Sequence, residues 1–462
     1  MYIDYKKNHK SKGLLKLALM LVLILITAYL FFNTWVYTYN EMLRMPYIMK
    51  GNYFLTLVYT VLYIIFLTIY EGFGIDQKKL SSVLYALTLT VVTTNILIYL
   101  VGIIPAAAIG FMPILPLITL TIKDFVALII WSLISKKIFK MLYPPTPMLL
   151  ISNQENENAA IEKFNERKDI YNIVDSISVE RPFNEIKDKC DKFSNVVIGD
   201  IPSELRNDII KYCFNNSINI YALPKLSDIL MKYSEDLYSF DAPMYYSSNE
   251  GITLMNEIIK RAFDIVFSLI VLIIFSPLFL LVSILIKIED GGNVFFIQER
   301  VTKDNKIFNI IKFRSMCMDA DKHGVRPTGI VDDRITKIGN IIRKTHFDEF
   351  PQFINVLIGD MSVVGPRPER KEHVELYTQD IKEFEFRLKV KAGITGLAQI
   401  YGRYNTSAYD KLKLDLIYIK SFKFIFDIEI ILKTLQVVFL KEKSEGFDEK
   451  IKNRINQNAK QN

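Results

Sequence analysis

Four apolar runs, residues 14–37, 52–71, 82–104 and 112–134, occupy the first third of this 462-residue chain. Each approaches the ~20 residues that a helix needs to cross the hydrocarbon core of a bilayer. The runs predict a bundle of four transmembrane helices over residues 1–143. Half of the residues are apolar, and much of that content belongs to these runs rather than to a soluble core. The first run is too long for a signal-peptide core, and no small-residue cleavage site follows it, so it reads as a retained span.

Basic residues fall on one side of this bundle. Lys6, Lys7, Lys10 and Lys12 precede the first run, Lys78 and Lys79 follow the second, and Lys136, Lys137 and Lys140 follow the fourth. Only Arg44 and Lys50 stand opposite. The positive-inside rule then puts both ends of the bundle in the cytoplasm. Lys123 and Asp124 interrupt the fourth run. They read as a functional site at bilayer depth, as a mutually satisfied pair, or as an earlier end of the helix. Four spans followed by a large soluble end argue against a transporter. Cys190, Cys213 and Cys317 show no metal or redox spacing, which fits a reducing compartment without disulfides.

After Pro144, Pro145 and Pro147 the pattern changes. Short apolar strands, MLLIS, IYNIVDSIS, NVVIGDI and INIYALP, alternate with helices expected near 159–167, 183–193 and 203–216. This βαβαβαβ series predicts a small Rossmann-like α/β domain with a parallel sheet over residues 144–245. Its first strand-to-helix turn, NQENENAA, offers no glycine for a phosphate and carries two glutamates. A structural or regulatory role is expected there rather than nucleotide binding.

A fifth apolar run, residues 262–287, carries Ser276-Pro277 at its midpoint and Lys or Arg on both flanks. Proline removes a backbone donor and clashes with the preceding turn. A helix broken at Ser276-Pro277, entering and leaving one leaflet, keeps both basic flanks on one side. An ordinary kinked span is the alternative.

Beyond this run the chain is basic and carries blocks such as QERVTKDNKIFNIIKFRSM (298–316), IRKTHFDEFPQFINVLIGDMSVVGPRPER (342–370) and KAGITGLAQIYGR (391–403). Asp348 and Glu349 stand side by side in HFDEFPQF. Read alone, Thr345 to Asp348 is similar to a capping box, and acidic residues favour a helix's first turn. Asp360 in IGDMS reads equally as a second acid or a turn residue. His323, His346 and His373 lack ligand spacing. Gly393, Thr395 and Gly396 suit a close backbone approach.

In order and content these blocks resemble the bacterial sugar transferases, the monotopic polyprenyl-phosphate phosphoglycosyl transferases, over residues 258–440. The bundle and middle domain are similar to those of the family's long members. The resemblance implies a mainly α catalytic domain with a re-entrant membrane helix over 262–287, in a multi-pass protein of the bacterial inner membrane whose catalytic domain faces the cytoplasm. It implies Mg²⁺-dependent transfer of a sugar 1-phosphate from a UDP-sugar to undecaprenyl phosphate with release of UMP. Such a reaction initiates exopolysaccharide, capsule or O-antigen repeat units. The family pattern puts Asp348 in the nucleophile's place, as the residue that becomes a phosphosugar intermediate and as metal ligand, with Glu349 beside it. Lys312, Arg314, Arg343 and Arg367 fall at its phosphate-binding positions, and Ser276 and Pro277 at its helix break. Three departures stand out: Thr302 and Asn305 replace glycines after QER, His346 replaces a Ser or Thr, and Ala392 replaces a Pro.

The chemistry suits these residue types. Donor and acceptor are both anionic, so a carboxylate nucleophile that splits the transfer into two steps, surrounded by cationic donors, answers the repulsion. Mg²⁺ accepts few carboxylates together with waters and substrate oxygens. Glycoside hydrolysis is disfavoured, because its carboxyl groups face each other across the bond ~5 Å or more apart. Lys411, Lys413, Lys420 and Lys423, among apolar residues, suggest amphipathic helices on an anionic membrane lipid surface, with core packing as the rival. The polar tail, residues 441–462, is expected to be disordered. A homodimer is compatible with the extra domains, and no nucleic acid is expected as partner. A non-catalytic membrane scaffold or sensor for polysaccharide assembly is the alternative function.

Overall fold

The structure, a computed structural model, describes residues 2–43, 46–106, 113–153, 157, 160–161, 164–165, 167–238, 241–249, 251–317, 334–402 and 406–438. Arg44, His323, most of the turn after the first strand and the tail lie outside them, as do the side chains of Lys6, Lys7 and Lys10. The chain forms two compact units, residues 1–224 and 225–462.

In the first unit, α1 (Tyr2–Thr34) continues into a π-helical segment, Trp35–Tyr39. It is followed by α2 (Met49–Ile69), α3 (Leu80–Ala106) and α4 (Leu115–Leu142). All four are long and apolar enough to cross a membrane. Lys16 Nζ lies 2.8 Å from Asp76, and Lys136 Nζ donates to the carbonyls of Ile75 and Lys78 at 3.0 and 2.7 Å. The start of α1, the α2–α3 connection and the end of α4 thus meet at one end of the bundle, as the basic clusters predict. Lys123 and Asp124 are not a mutually satisfied pair: α4 runs on past both, Lys123 is exposed and Asp124 is fully buried.

The α/β part of this unit contains β1 (Pro147–Ser152), β2 (Asn172–Ser178), α5 (Phe183–Cys190), β3 (Asn195–Ile198), α6 (Ser203–Asn215) and β4 (Asn219–Ala222). The strands pair in the parallel order β2-β1-β3-β4. Leu149, Ile151, Val196 and Ile198 pack on α5 and α6, while Met148, Leu150 and Val197 fill the other face. Burial on both faces is what a parallel sheet requires. The three cysteines are free.

The expected boundary at residue 245 moves to 224, because α7 (Leu226–Lys232) contributes Leu226 and Ile229 to the core of the second unit. Then come the antiparallel pair β5 (Glu235–Leu237) and β6 (Met244–Tyr246), α8 (Leu254–Asp290), and the hairpin of β7 (Phe295–Val301) and β8 (Ile307–Phe313). They are followed by α9 (Lys337–Lys344), α10 (Gln352–Ile358), β9 (Ser362–Val364), α11 (Lys371–Asp380), β10 (Gly393–Thr395), α12 (Leu397–Tyr401), α13 (Ala408–Lys420) and α14 (Phe424–Val438). The unit is mainly helical around Val301, Phe308, Phe353, Val356, Leu412 and Leu416.

The expected break at Ser276-Pro277 is not a break in helical structure: α8 runs unbroken from Leu254 to Asp290 with Pro277 inside. Proline leaves the carbonyl four residues back without its N–H donor. That carbonyl belongs to Ile273, and the Ser276 hydroxyl donates to it at 2.8 Å. The side chain next to the proline therefore repairs the ladder that the proline opens.

Both ends of α8 pack on its own unit. Near its start, Lys260 meets Asp427 at 2.5 Å and the Asp264 carboxylate accepts the Val363 N–H at 3.0 Å. Farther along, Phe275 meets Phe350 edge-on and Phe279 packs on Phe313. Near its end Val282 and Ile286 join Ile342 and Phe347. The opposite face leaves Ile270, Ile273, Ile274 and Leu280 exposed.

The segment 411–423 is largely core rather than a free basic face. Leu412, Leu416, Tyr418 and Ile419 are buried, Lys413 pairs with Asp410 at 3.4 Å, and Lys420 donates to the Ser248 carbonyl at 2.6 Å. Of the four lysines only Lys423 is exposed.

Candidate active site

Asp348 and Glu349 sit on a short 3₁₀ turn, Phe347–Glu349, between α9 and α10. The Thr345 hydroxyl donates to the carbonyls of Ile341 and Ile342 at 3.1 Å. It therefore closes α9 instead of opening a helix, and the expected capping box is absent. The chain then reverses through His346, whose φ of +54° is a left-handed conformation. Phe347 is buried against Phe350 and Phe313 and anchors the turn from below.

The hairpin β7–β8 brings Lys312 to this turn. Its position is fixed from α10 by Asn355, whose side chain donates to the Asn309 carbonyl at 2.8 Å and accepts from the Ile311 N–H at 3.0 Å. Lys312 Nζ then lies 2.6 Å from Glu349 Oε1, and Arg367 Nη2 reaches the same oxygen at 3.1 Å. Burial alone would raise the Glu349 carboxyl, but Lys312 and Arg367 outweigh it and hold the group well below the usual carboxylate range. Glu349 stays ionised as the fixed counterion of two cations.

Asp348 differs. Its carboxylate has no hydrogen bond or ion pair with any described residue. Burial and the neighbouring Glu349 push it up, while Lys312, Arg343 and His346 pull the other way from electrostatic range. The turn thus carries one committed carboxylate and one uncommitted carboxylate beside it.

Arg314 does not join this group. Its guanidinium pairs with Asp290 at the end of α8, and no hydrogen bond or ion pair links it to Asp348 or Glu349 among the described residues. Asp360 lies in the turn after α10, where its carbonyl accepts the Thr302 hydroxyl at 3.0 Å. His346 is exposed and His373 lies 3.8 Å from Glu369, so the described histidines do not converge.

The loop Gly365-Pro366-Arg367-Pro368 is held from several sides. A Cβ on Gly365 would lie 2.4 Å from the Lys391 carbonyl oxygen, and one on Gly396 would lie 2.1 Å from the Gly365 oxygen. Only glycine permits this backbone-on-backbone contact with the GITG segment. Arg300 donates to the Pro368 carbonyl at 3.2 Å, and Arg387 donates to the carbonyl of Arg367 itself at 2.9 Å. Arg387 is 4% exposed and lies 2.9 Å from Asp415 and 3.7 Å from Glu369. Arg387 and Asp415 carry no signal in the sequence, because 27 residues of chain separate the two. QER stands out as a block, but nothing in it shows that Arg300 grips a proline loop.

The departures from the family pattern are accommodated locally. Asn305 takes φ +59°, a left-handed angle that asparagine tolerates better than most residues. Thr302 gains a use that glycine lacks: its hydroxyl accepts the Ala392 N–H at 3.1 Å while donating to Asp360.

Burial raises the Asp415 carboxyl to about 6, against the pull of Arg387. A carboxyl raised in the folded state holds a proton that the unfolded chain releases, so it loses stability as pH rises through the folded value. The Tm of the wild type relative to Asp415→Asn is therefore expected to fall between pH 3.8 and about 6. A Tm difference that stays flat across that window would contradict this assignment.

The segment that carries this turn is shared with known proteins. A profile of the family described as bacterial sugar transferase matches residues 255–441. The UDP-N-acetylgalactosamine-undecaprenyl-phosphate N-acetylgalactosaminephosphotransferase of Aeromonas hydrophila is 43% identical over 183 residues, 39% of this chain and 43% of that relative. The UDP-glucose:undecaprenyl-phosphate glucose-1-phosphate transferase of Escherichia coli K12 is 42% identical over 199 residues, 42% of each chain. The alignments thus span less than half the length of these two relatives. The exopolysaccharide production protein PSS of Rhizobium leguminosarum bv. phaseoli is 40% identical over 190 residues, which make up 39% of this chain and 95% of that relative. The chain belongs to the bacterial sugar transferase family, and the site just described lies inside the shared segment.

Proposed function

We propose that this protein transfers a sugar 1-phosphate from a UDP-sugar to undecaprenyl phosphate in two steps. The observation that carries this reading is the division of labour on one turn: Glu349 Oε1 is held by Lys312 and Arg367, while Asp348 beside it is unpaired. An Asp348 oxygen attacks the sugar-bearing phosphorus, and the phosphorus–oxygen bond to UMP breaks. UMP leaves with the bonding pair. An oxygen of the lipid phosphate then attacks the same phosphorus and expels the Asp348 carboxylate, giving a lipid-linked diphosphosugar. Arg343, Arg367 and Lys312 hold phosphate oxygens and offset charge, a task suited to fixed cationic donors.

Mg²⁺ fits this donor set, since it takes one or two carboxylates and leaves its other positions to waters and phosphates. Asp348, with Glu349 adjacent, would hold it, and when bound it supplies charge neutralisation at the diphosphate.

The contacts of α8 with its own unit at both ends support a helix that enters and leaves one leaflet or lies within it. A straight helix of 37 residues is about 56 Å long, enough to cross a bilayer fully. A crossing would carry one of its two packed ends to the opposite side. The site then sits at headgroup level on the cytoplasmic face of the inner membrane, where the lipid phosphate lies. The product would initiate exopolysaccharide, capsule or O-antigen repeat units.

The test is UMP release by the full-length protein in nanodiscs, with a panel of UDP-sugars and with or without undecaprenyl phosphate. Release that depends on the lipid is expected with one donor or a few. Binding of donor or lipid without release would identify a non-catalytic scaffold instead.

A further inference from the structure

Asp124 lies inside the four-helix bundle, 0% exposed, and Lys123 beside it points outward. One carboxylate oxygen accepts from Asn95 Nδ2 at 3.1 Å, and the other, Oδ1, has no hydrogen-bond partner. The Asn95 carbonyl oxygen and the Tyr59 hydroxyl are likewise buried without partners. The Tyr63 hydroxyl is buried without a partner as well, and the neighbouring Thr27 hydroxyl donates to the carbonyls of Leu23 and Ile24. Asp124 lies within electrostatic range of both tyrosines. Each helix therefore contributes a buried polar residue: Thr27 from α1, Tyr59 and Tyr63 from α2, Asn95 from α3 and Asp124 from α4. Among the described residues no cationic side chain pairs with Asp124.

A buried carboxylate with an unmet oxygen is costly unless something of opposite charge meets it. We propose that the bundle holds an alkali-metal cation on Asp124, with the Asn95 carbonyl oxygen and the phenolic oxygens of Tyr59 and Tyr63 completing its shell. Hard cations take such oxygen sets, and a single carboxylate matches a single positive charge. A water molecule would satisfy hydrogen bonds but leave the charge unmet. A proton would neutralise the charge as well, and dependence on pH rather than on cation identity distinguishes it from a bound cation.

The test is thermal unfolding of the full-length protein in nanodiscs, titrated with NaCl, KCl or LiCl against choline chloride at constant ionic strength. A saturable rise in Tm with one alkali cation is expected. Asp124→Asn should lose the rise. Tyr63→Phe, which keeps the ring, should raise the half-saturating concentration by about tenfold, and it serves if the first variant does not fold. An equal rise in wild type and Asp124→Asn would reveal a surface salt effect and overturn the site. Dependence on pH but not on cation identity would assign the position to a proton, and dependence on neither would assign it to water.

Discussion

Asp348→Asn is expected to abolish sugar phosphate transfer, with a loss on the order of 10⁴-fold, and to leave the protein at least as stable as the wild type. The two effects share one cause. Burial and the charge of Glu349 disfavour an ionised Asp348, and the nearby cations compensate only in part. A carboxyl raised in this way contributes least stability above its folded pKa, so at neutral pH the ionised group costs stability and a neutral amide removes the cost. The same charge is what the chemistry uses, because only the carboxylate can form the bond to phosphorus. Turnover should therefore rise with pH through the raised Asp348 value, while the Tm difference between Asp348→Asn and wild type grows over the same interval. Incubation with donor labelled in its sugar phosphate should leave label on the wild type and none on Asp348→Asn. Full turnover by the variant, or label at another residue, would remove Asp348 from the nucleophile's role. Glu349→Gln should behave differently, since it leaves Lys312 and Arg367 without the negative charge they share and so disturbs the phosphate site as well.

What the sequence discloses follows the range of the interactions involved. The bundle was legible because hydrophobic length and lysine placement are local signals, and the packed ends of the helices repeat that pattern through Lys16 and Lys136. The parallel sheet was legible because its two central strands, β1 and β3, are buried on both faces and almost wholly apolar. Asp348 and Glu349 were visible as a pair, but not their difference, which depends on Lys312 across a hairpin and Arg367 across a loop. By its sequence Ser276-Pro277 predicts a break. The structure instead turns the serine into the proline's substitute donor, a contact that no periodicity encodes. The middle domain misled at its end, since the apolar residues of 226–229 carry no mark of which core they enter.

Arg387→Ala is expected to destabilise the protein by about 3–5 kcal/mol, because it strands the Asp415 and Glu369 carboxylates among buried neighbours. Loss of activity by unfolding would say nothing about the site, so the informative comparison is a graded series. Arg387→Lys keeps the charge but lacks the fork that meets Asp415 and the Arg367 carbonyl together. It should recover much of the Tm and little of the turnover. Arg387→Met combined with Asp415→Leu exchanges the principal ion pair for apolar contacts, which proteins often tolerate at little cost. If Arg387 acts by positioning the loop, this double variant should regain stability while KM for the UDP-sugar stays raised, because the Arg367 carbonyl has lost its donor and Arg367 is free to drift from Glu349. If the double variant regains stability and wild-type KM together, Arg387 serves only to neutralise a buried charge. Arg300 would then be the residue that fixes the loop, since its bond to Pro368 is untouched in every member of the series.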